Sequence, residues 1–160
     1  MNAMNRLSHF DDQGASRMVD VGEKTPTHRT ARASGRVRMA AETLRLLREG
    51  GHAKGDVLKV ARIAGITAAK RTADWIPLCH PLPLEAVTID FQIPDETTVH
   101  IEATAAVTAK TGVEMEALVA VSAAALTIYD MCKSVDRAMV IESIRLEEKS
   151  GGRSGHFARG

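Results

Sequence analysis

The stretch TGVEMEALVAVSAAALTIYDMCKSVD, residues 111–136, decides how the rest of the chain is arranged. It is predicted to form one long helix. Its middle, residues 117–128, carries no charge and consists almost wholly of small or apolar residues. A helix without a polar face should be buried on nearly every side. Ionisable residues nevertheless stand at both ends of this helix, and charge at the ends of a buried helix requires an explanation.

The composition is that of one soluble domain. The 160 residues are 44% apolar and 26% charged, and a net charge of +1 gives no reason to expect a nucleic acid as partner. Aromatic residues make up only 3%, so a base-stacking surface is not expected either. The chain shows no membrane-length apolar run and no secretory signal, and its two cysteines do not form a disulfide framework. We therefore expect a cytoplasmic protein that does not bind membranes.

Hydrophobic periodicity predicts further elements on both sides of the long helix. Residues 1–30 are expected to be an N-terminal arm, irregular or partly disordered, and residues 31–160 a single catalytic domain with a flexible Gly-rich C-terminal tail. Asp56 is a predicted N-cap, and Gly65 is expected to bend the helix that follows. The predicted elements are a strand at 33–39, helices at 40–49 and 57–71, strands at 84–93 and 97–109, and a strand at 139–147.

This order predicts an α+β fold. A βαββαβ sequence is that of a ferredoxin-like sandwich, in which helices cover one face of an antiparallel sheet. Here the first crossover would contain an extra helix. Such a fold says nothing about function by itself, so function must be argued from individual residues.

The segment IPLCHPLPL, residues 76–84, cannot be helical because its prolines force extended or turn geometry. A rigid loop positions a catalytic or binding side chain well, so His80 is a candidate; a structural loop histidine is an equally good interpretation. Cys79, His80 and Cys132 could ligate zinc, but no CxxC or HxxxH pair supports this. Two buried, inert cysteines are the favoured interpretation.

Several cations have positions suited to an anion. Lys54 stands just before the start of a predicted helix, where anions are favoured. It can equally be interpreted as an ordinary surface lysine. Residues 149–155 resemble a phosphate-binding loop in composition, but they lack a Walker motif, and taken alone they are better described as a flexible tail.

Asp130 and Lys133 are three residues apart, so they share a helix face and form either a simple ion pair or a proton-transfer pair. Glu116 and Asp130 lie about 21 Å apart along the helix axis, too far to meet in one small site of one chain. If the helix packs antiparallel against a two-fold copy, these residues can approach each other. The spacing therefore predicts a homo-oligomer with composite sites at a subunit interface.

Several motifs together resemble one known family. They are MVDV at 18–21, KGDV at 54–57, AGI at 64–66, IPLCHPL at 76–82, TGVEMEAL at 111–118, ALTIYDMCK at 125–133 and KSGG at 149–152. The set is similar to the MoaC family, the cyclic pyranopterin monophosphate synthases of molybdenum cofactor biosynthesis. The resemblance covers almost the whole chain, and three of the motifs in this order (IPLCHPL, TGVEMEAL and YDMCK) are highly specific.

The resemblance implies a lyase with a small-molecule substrate. It would convert 3′,8-cyclo-7,8-dihydro-GTP to cyclic pyranopterin monophosphate with release of pyrophosphate, and it would act as a homohexamer built as a trimer of dimers. The implied catalytic residues are Asp130, Lys133, Lys54 and His80. The resemblance also implies a set of substrate-binding residues, to which Lys149 and Arg153 are added because a triphosphate is negatively charged. The set is Leu78, Cys79, His80, Glu114, Met115, Glu116, Lys24, Arg29, Lys149 and Arg153.

The departures from the family pattern are mild. Arg153 stands where lysine is frequent, Val119 and Ser8 stand where threonine is common, and none of these removes a proposed catalytic group. The chemistry requires no redox or organic cofactor. No dedicated metal site is expected, although Mg²⁺ could accompany the triphosphate. The competing hypotheses are a nucleotide-sensing regulatory module without catalysis, and a zinc protein.

Overall fold

A computed structural model of the chain describes residues 7–50 and 56–160. Within these ranges the elements follow in the order β1 (Thr27–Arg38), α1 (Ala41–Arg48), α2 (Val57–Ala69), α3 (Thr72–Trp75), β2 (Ala86–Gln92), β3 (Thr98–Ala109), α4 (Glu114–Cys132), β4 (Val140–Ser150) and β5 (Phe157–Ala158). The predicted N-cap of α2 is confirmed, because the Asp56 side chain accepts a hydrogen bond from the backbone N–H of Lys59.

The five strands form one antiparallel sheet in the order β2-β3-β1-β4-β5. The first four strands, with α2 and α4 as crossovers, have the ferredoxin-like arrangement, and α1 is the extra helix of the first crossover. Helix α4 packs on β1, β3 and β4, while α2 packs on α4 and β2. The predicted α+β ferredoxin-like fold is confirmed.

Helix α4 is the centre of the core. Ala117, Ala120, Val121, Ala124 and Ala125 along its length are fully buried. The helix is long and apolar enough to cross a membrane by length and composition alone, but 61% of its most apolar window is buried inside the protein. Burial of this kind is typical of the core helix of a globular domain.

One stripe of α4 is not covered by its own chain, contrary to the expectation of burial on nearly every side. Leu118, Ser122, Leu126 and Tyr129 recur at helical spacing and are all at least partly exposed. Leu126 is 52% exposed. Only part of the apolar surface of α4 is therefore covered within one subunit.

Helix α2 runs through Gly65 without interruption, and Gly65 lies at a close contact with α4. A Cβ atom at this position would lie 2.8 Å from the carbonyl oxygen of Ala120, closer than real Cβ atoms approach. The absence of a side chain allows the backbones of α2 and α4 to pack directly against each other.

The sheet extends further than the sequence pattern predicts at both ends of the chain. Strand β1 begins at Thr27 instead of residue 33, and Thr27 pairs with Ala109 of β3. The last residues of the predicted arm therefore belong to the sheet. Strand β4 continues to Ser150, and the short β5 returns to pair with it. Part of the predicted C-terminal tail is therefore a hairpin.

Candidate functional site

A two-lobed cleft lies at the N-terminal end of α4. One lobe is a cavity of about 320 Å³, and the other is a cavity of about 450 Å³. Lys24, Thr111, Gly112 and Glu114 line both lobes, so the two cavities are adjacent. The segment between β3 and α4, residues 110–113, thus forms the boundary between them.

The smaller lobe is cationic. Among its described lining residues there is one carboxylate, that of Glu114, and five cations: Lys24, Arg29, Lys110, Lys149 and Arg153. The Lys149 ammonium donates to Glu114 Oε1 at 2.7 Å and to Ser154 Oγ at 3.2 Å. Five positive charges against one negative charge make this lobe suited to a multiply charged anion.

Arg29 lies near the start of β1 and is only 9% exposed. Its Nε donates to the carbonyl oxygen of Ala109 at 3.0 Å, and its Nη2 donates to that of Lys110 at 3.2 Å. These acceptors carry no net charge, so they satisfy hydrogen bonds without neutralising the buried guanidinium. A cation in this state strengthens the attraction of the lobe for an anion.

Lys110 ties the N-terminal arm to this lobe. Its ammonium donates to the backbone carbonyl oxygen of Gly22 at 2.7 Å. Lys24 therefore approaches the cleft from the arm, two residues beyond that contact. The arm contributes Ser8, His9, Val19 and Val21 to the larger lobe as well.

The larger lobe is built from the proline-rich loop and the first turn of α4. Leu78, Cys79 and His80 line it from the loop, and Met115 and Glu116 line it from the helix. Burial, with a further contribution from the charge of Glu116, raises the pKa of the Cys79 thiol. The thiol is therefore held in its protonated, weakly nucleophilic form. A lobe of this mixed character suits a flat, polar heterocycle.

Glu116 is the most unusual ionisable group of the cleft. It is 4% exposed, and burial raises its pKa to about 7, with the neighbouring charge of Glu114 acting in the same direction. A carboxyl with such a pKa can give or take a proton near neutral pH. The sequence interpretation assigned Glu116 to substrate binding only. The signal for its burial was its place between Met115 and Ala117 at the start of an apolar helix.

The opposite end of α4 is different. Asp130 and Lys133 form an ion pair with Nζ and Oδ1 2.5 Å apart, and their side chains are 62% and 51% exposed. Asp130 lies about 21 Å along the helix axis from Glu116, which lines the cleft, and Lys133 lies farther still. One chain does not bring these residues into the cleft.

The cleft contains ten of the predicted site residues: Lys24, Arg29, Leu78, Cys79, His80, Glu114, Met115, Glu116, Lys149 and Arg153. Lys54 lies outside the described residues. Sequence reasoning missed Lys110 as a lining residue, and it weighed Gly151 and Ser154 only as part of the loop-like stretch 149–155. Lys110 could have been found, because it directly precedes the TGVEMEAL motif and follows a predicted strand.

The zinc alternative requires Cys79, His80 and Cys132 to converge. Cys132 is fully buried at the far end of α4, about 24 Å along the axis from Glu116, which borders Cys79. In residues 7–50 and 56–160, no group of three or more His, Cys, Asp or Glu side chains is arranged to hold a metal ion. The three proposed ligands are therefore not gathered within one chain.

Comparison with known proteins identifies the family of the chain. The model of the MoaC family matches residues 18–152. A protein of Desulfitobacterium hafniense named cyclic pyranopterin monophosphate synthase is 59% identical over 153 residues, covering 96% of this chain and 94% of its own. Proteins of the same name from Heliobacterium modesticaldum and Thermomicrobium roseum are each 59% identical over 157 residues, covering 98% of this chain and 99% and 95% of their own. The chain belongs to the MoaC family.

Proposed function

We propose that this chain is a cyclic pyranopterin monophosphate synthase, which converts 3′,8-cyclo-7,8-dihydro-GTP to cyclic pyranopterin monophosphate in an early step of molybdenum cofactor biosynthesis. The observation that carries the proposal is the two-lobed cleft, in which a cavity with five cations adjoins a cavity of mixed polarity. Its relatives over nearly the whole chain carry the name of this enzyme. The reaction class is that of a lyase, with pyrophosphate as the leaving group.

The cationic lobe would hold the triphosphate. Arg29, Lys149 and Arg153 supply charge-assisted hydrogen bonds, and Lys24 adds charge where the two lobes meet. Pyrophosphate departs with increased negative charge, which the same cations stabilise. When Mg²⁺ accompanies the triphosphate, it would reduce the charge repulsion between phosphates.

The larger lobe would hold the purine-derived ring system. Leu78 and Met115 provide apolar surface, while His80 and Glu116 provide groups that exchange protons. The rearrangement opens and recloses rings through successive proton transfers. A buried carboxyl with a pKa of about 7 is well matched to such a step at neutral pH.

Asp130 and Lys133 are proposed to complete the site from a second copy of the chain. Their exposure leaves them accessible to a partner, and the apolar stripe of α4 that includes Leu126 supplies surface for an interface. In this arrangement Asp130 and Lys133 act in proton transfer, and the ion pair between them orients the lysine ammonium. The assembly is proposed to be a homohexamer, built as a trimer of dimers and located in the cytoplasm.

The decisive experiment is incubation of the purified protein with the cyclised GTP intermediate, followed by oxidation and detection of a fluorescent pterin. The expected result is pterin formation together with stoichiometric pyrophosphate. A protein that binds the intermediate but forms neither product would instead be a nucleotide-sensing module, and the proposal would be wrong.

The proposed assembly has its own test. Light scattering after size-exclusion chromatography should give a homo-oligomer for the wild type. Leu126→Glu places a charge on the uncovered stripe and should shift the protein to smaller species. A wild type that elutes as a monomer contradicts composite sites.

A further inference from the structure

The turn after β4 lies directly against the buried Arg29 of the cationic lobe. Its two residues, Gly151 and Gly152, have φ angles of +97° and +74°. Backbone of this kind favours glycine because a side chain in the left-handed region is strained. Strain alone does not distinguish these residues, since Gly155 of the same hairpin has a φ of +65°.

What distinguishes Gly152 is the space beside it. A Cβ atom built there would meet three atoms of the Arg29 guanidinium, with Cζ at 2.6 Å and Nη2 at 2.7 Å. Real Cβ atoms essentially never approach that closely. A Cβ at Gly151 would collide with the backbone carbonyl oxygen of His28, whereas a Cβ at Gly155 would meet nothing within 4 Å.

Arg29 cannot move aside without cost. Its guanidinium donates to the carbonyl oxygens of Ala109 and Lys110, which lead into the segment that borders both lobes of the cleft. A side chain at Gly152 would displace the guanidinium and strain these hydrogen bonds. Breaking bonds of a buried charged group carries a large penalty.

The turn is also a partition between two cavities. Gly151 lines the cationic lobe, and Gly152 lines a neighbouring cavity of about 320 Å³. Lys24, Arg29 and Arg153 line both of these cavities. The position of the turn therefore determines the space in which those cations meet an anion.

We propose that Gly151 and Gly152 are positioning residues of the anion-binding lobe: the turn without side chains presses on Arg29, fixes its guanidinium on the Ala109 and Lys110 carbonyl groups, and forms the wall of the lobe. The identification of the anion as a triphosphate rests on the proposed function. The positioning role itself concerns any polyphosphate that enters the lobe.

The test compares Gly152→Ala with Gly155→Ala in the full-length protein. Both substitutions add a methyl group at a positive φ, but only the first meets Arg29. Isothermal titration with inorganic tripolyphosphate is expected to show at least tenfold weaker binding for Gly152→Ala and a change below twofold for Gly155→Ala. Equal weakening of both variants, or wild-type binding by Gly152→Ala, would overturn the proposal.

A second measurement tests whether any destabilisation of Gly152→Ala comes from its contact with Arg29. Arg29→Met removes the three guanidinium atoms that the methyl group would meet. In thermal denaturation, the decrease in melting temperature caused by Gly152→Ala should be larger in the wild-type background than in the Arg29→Met background. Equal decreases in the two backgrounds, or a double variant that fails to fold while Arg29→Met folds, would overturn the proposal.

These outcomes are separable from those of the proposed function. Tripolyphosphate binding is measured without turnover, so a chain that forms no pterin can still show the expected difference between Gly152→Ala and Gly155→Ala. Absence of tripolyphosphate binding by the wild type overturns the anion-binding lobe, and this inference with it.

Discussion

The two ends of α4 both carry ionisable residues, but they are in opposite physical states. At the N-terminal end Glu116 is buried in a formed cleft and its pKa is raised to about 7. At the C-terminal end Asp130 and Lys133 form an ion pair on the surface. One chain therefore forms the binding cleft by itself, whereas Asp130 and Lys133 lie outside it and are only proposed to join it from a second chain.

The largest effect is expected from the C-terminal end. Asp130→Asn and Lys133→Ala should each lower turnover by about a hundredfold or more, which is the range for loss of a general acid or base. Tripolyphosphate affinity should stay within twofold of the wild type, because the cationic lobe is formed without these residues. Pterin formation and isothermal titration provide the two measurements.

A matched control comes from α2, where Asp56 and Lys59 form an exposed pair with the same three-residue spacing. Lys59→Ala should leave turnover unchanged, since surface pairs contribute little. Full turnover by Asp130→Asn or Lys133→Ala would contradict their catalytic roles.

The buried carboxyl at the N-terminal end of α4 should make the stability of the protein depend on pH. The pKa of Glu116 is about 7 in the folded chain against an ordinary value of 4.5, so the folded state retains this proton between the two values. Stability from this group is therefore greatest at low pH and falls by up to about 3 kcal/mol as pH rises through 7. Urea denaturation at pH 5 and pH 8 should show a smaller decrease for Glu116→Gln than for the wild type. Parallel changes in the two proteins would contradict the raised pKa.

Subunit complementation tests whether the two ends meet across an interface. Asp130→Asn and Glu116→Gln chains should each be impaired alone. In a two-fold dimer that contains one chain of each kind, one site receives both wild-type residues and the other receives neither. Random pairing of equal amounts should therefore restore about a quarter of wild-type turnover. Co-expression with two affinity tags, followed by the pterin assay, measures this recovery. No recovery above the separate variants would contradict a site shared between two chains.

The smallest effect is expected when one lysine near each end of α4 is replaced. Lys149→Met removes one charge-assisted contact from the cationic lobe and should weaken tripolyphosphate binding by about tenfold, since such a hydrogen bond contributes about 1.5 to 3 kcal/mol. Lys133→Met makes the same chemical change at the other end and should leave the affinity unchanged. Equal losses in isothermal titration would mean that both lysines contact the anion.

The fold was largely predictable because its elements carry strong local signals. The apolar run of α4 and the turn before β3 are visible in the residues themselves, and the order of elements limits the topology. The early start of β1 at Thr27 was missed because its threonine and arginine residues do not alternate as apolar and polar. Pairing with the end of β3 at Ala109 extends the strand there.

The candidate site was predictable in its residues and not in its geometry. The family resemblance implies Arg29, the charge of a triphosphate implies Lys149, and the structure places both in one lobe. The contact of Gly152 with the Arg29 guanidinium joins residues 123 positions apart, 152 − 29 = 123. No local pattern reports such a contact, because it depends on how β1 and β4 pair.

The sequence by itself determined that the chain has one buried helix with charged ends, that this helix is too long for the two ends to share one site, and that its motifs are those of one family. These are properties of spacing and residue type. Only the tertiary structure decided that Glu116 is buried, that Arg29 is held by neutral carbonyl groups under a glycine turn, and that Asp130 and Lys133 remain on the surface. Burial and charge neutralisation depend on residues distant in sequence, so they are settled when the sheet and α4 pack together.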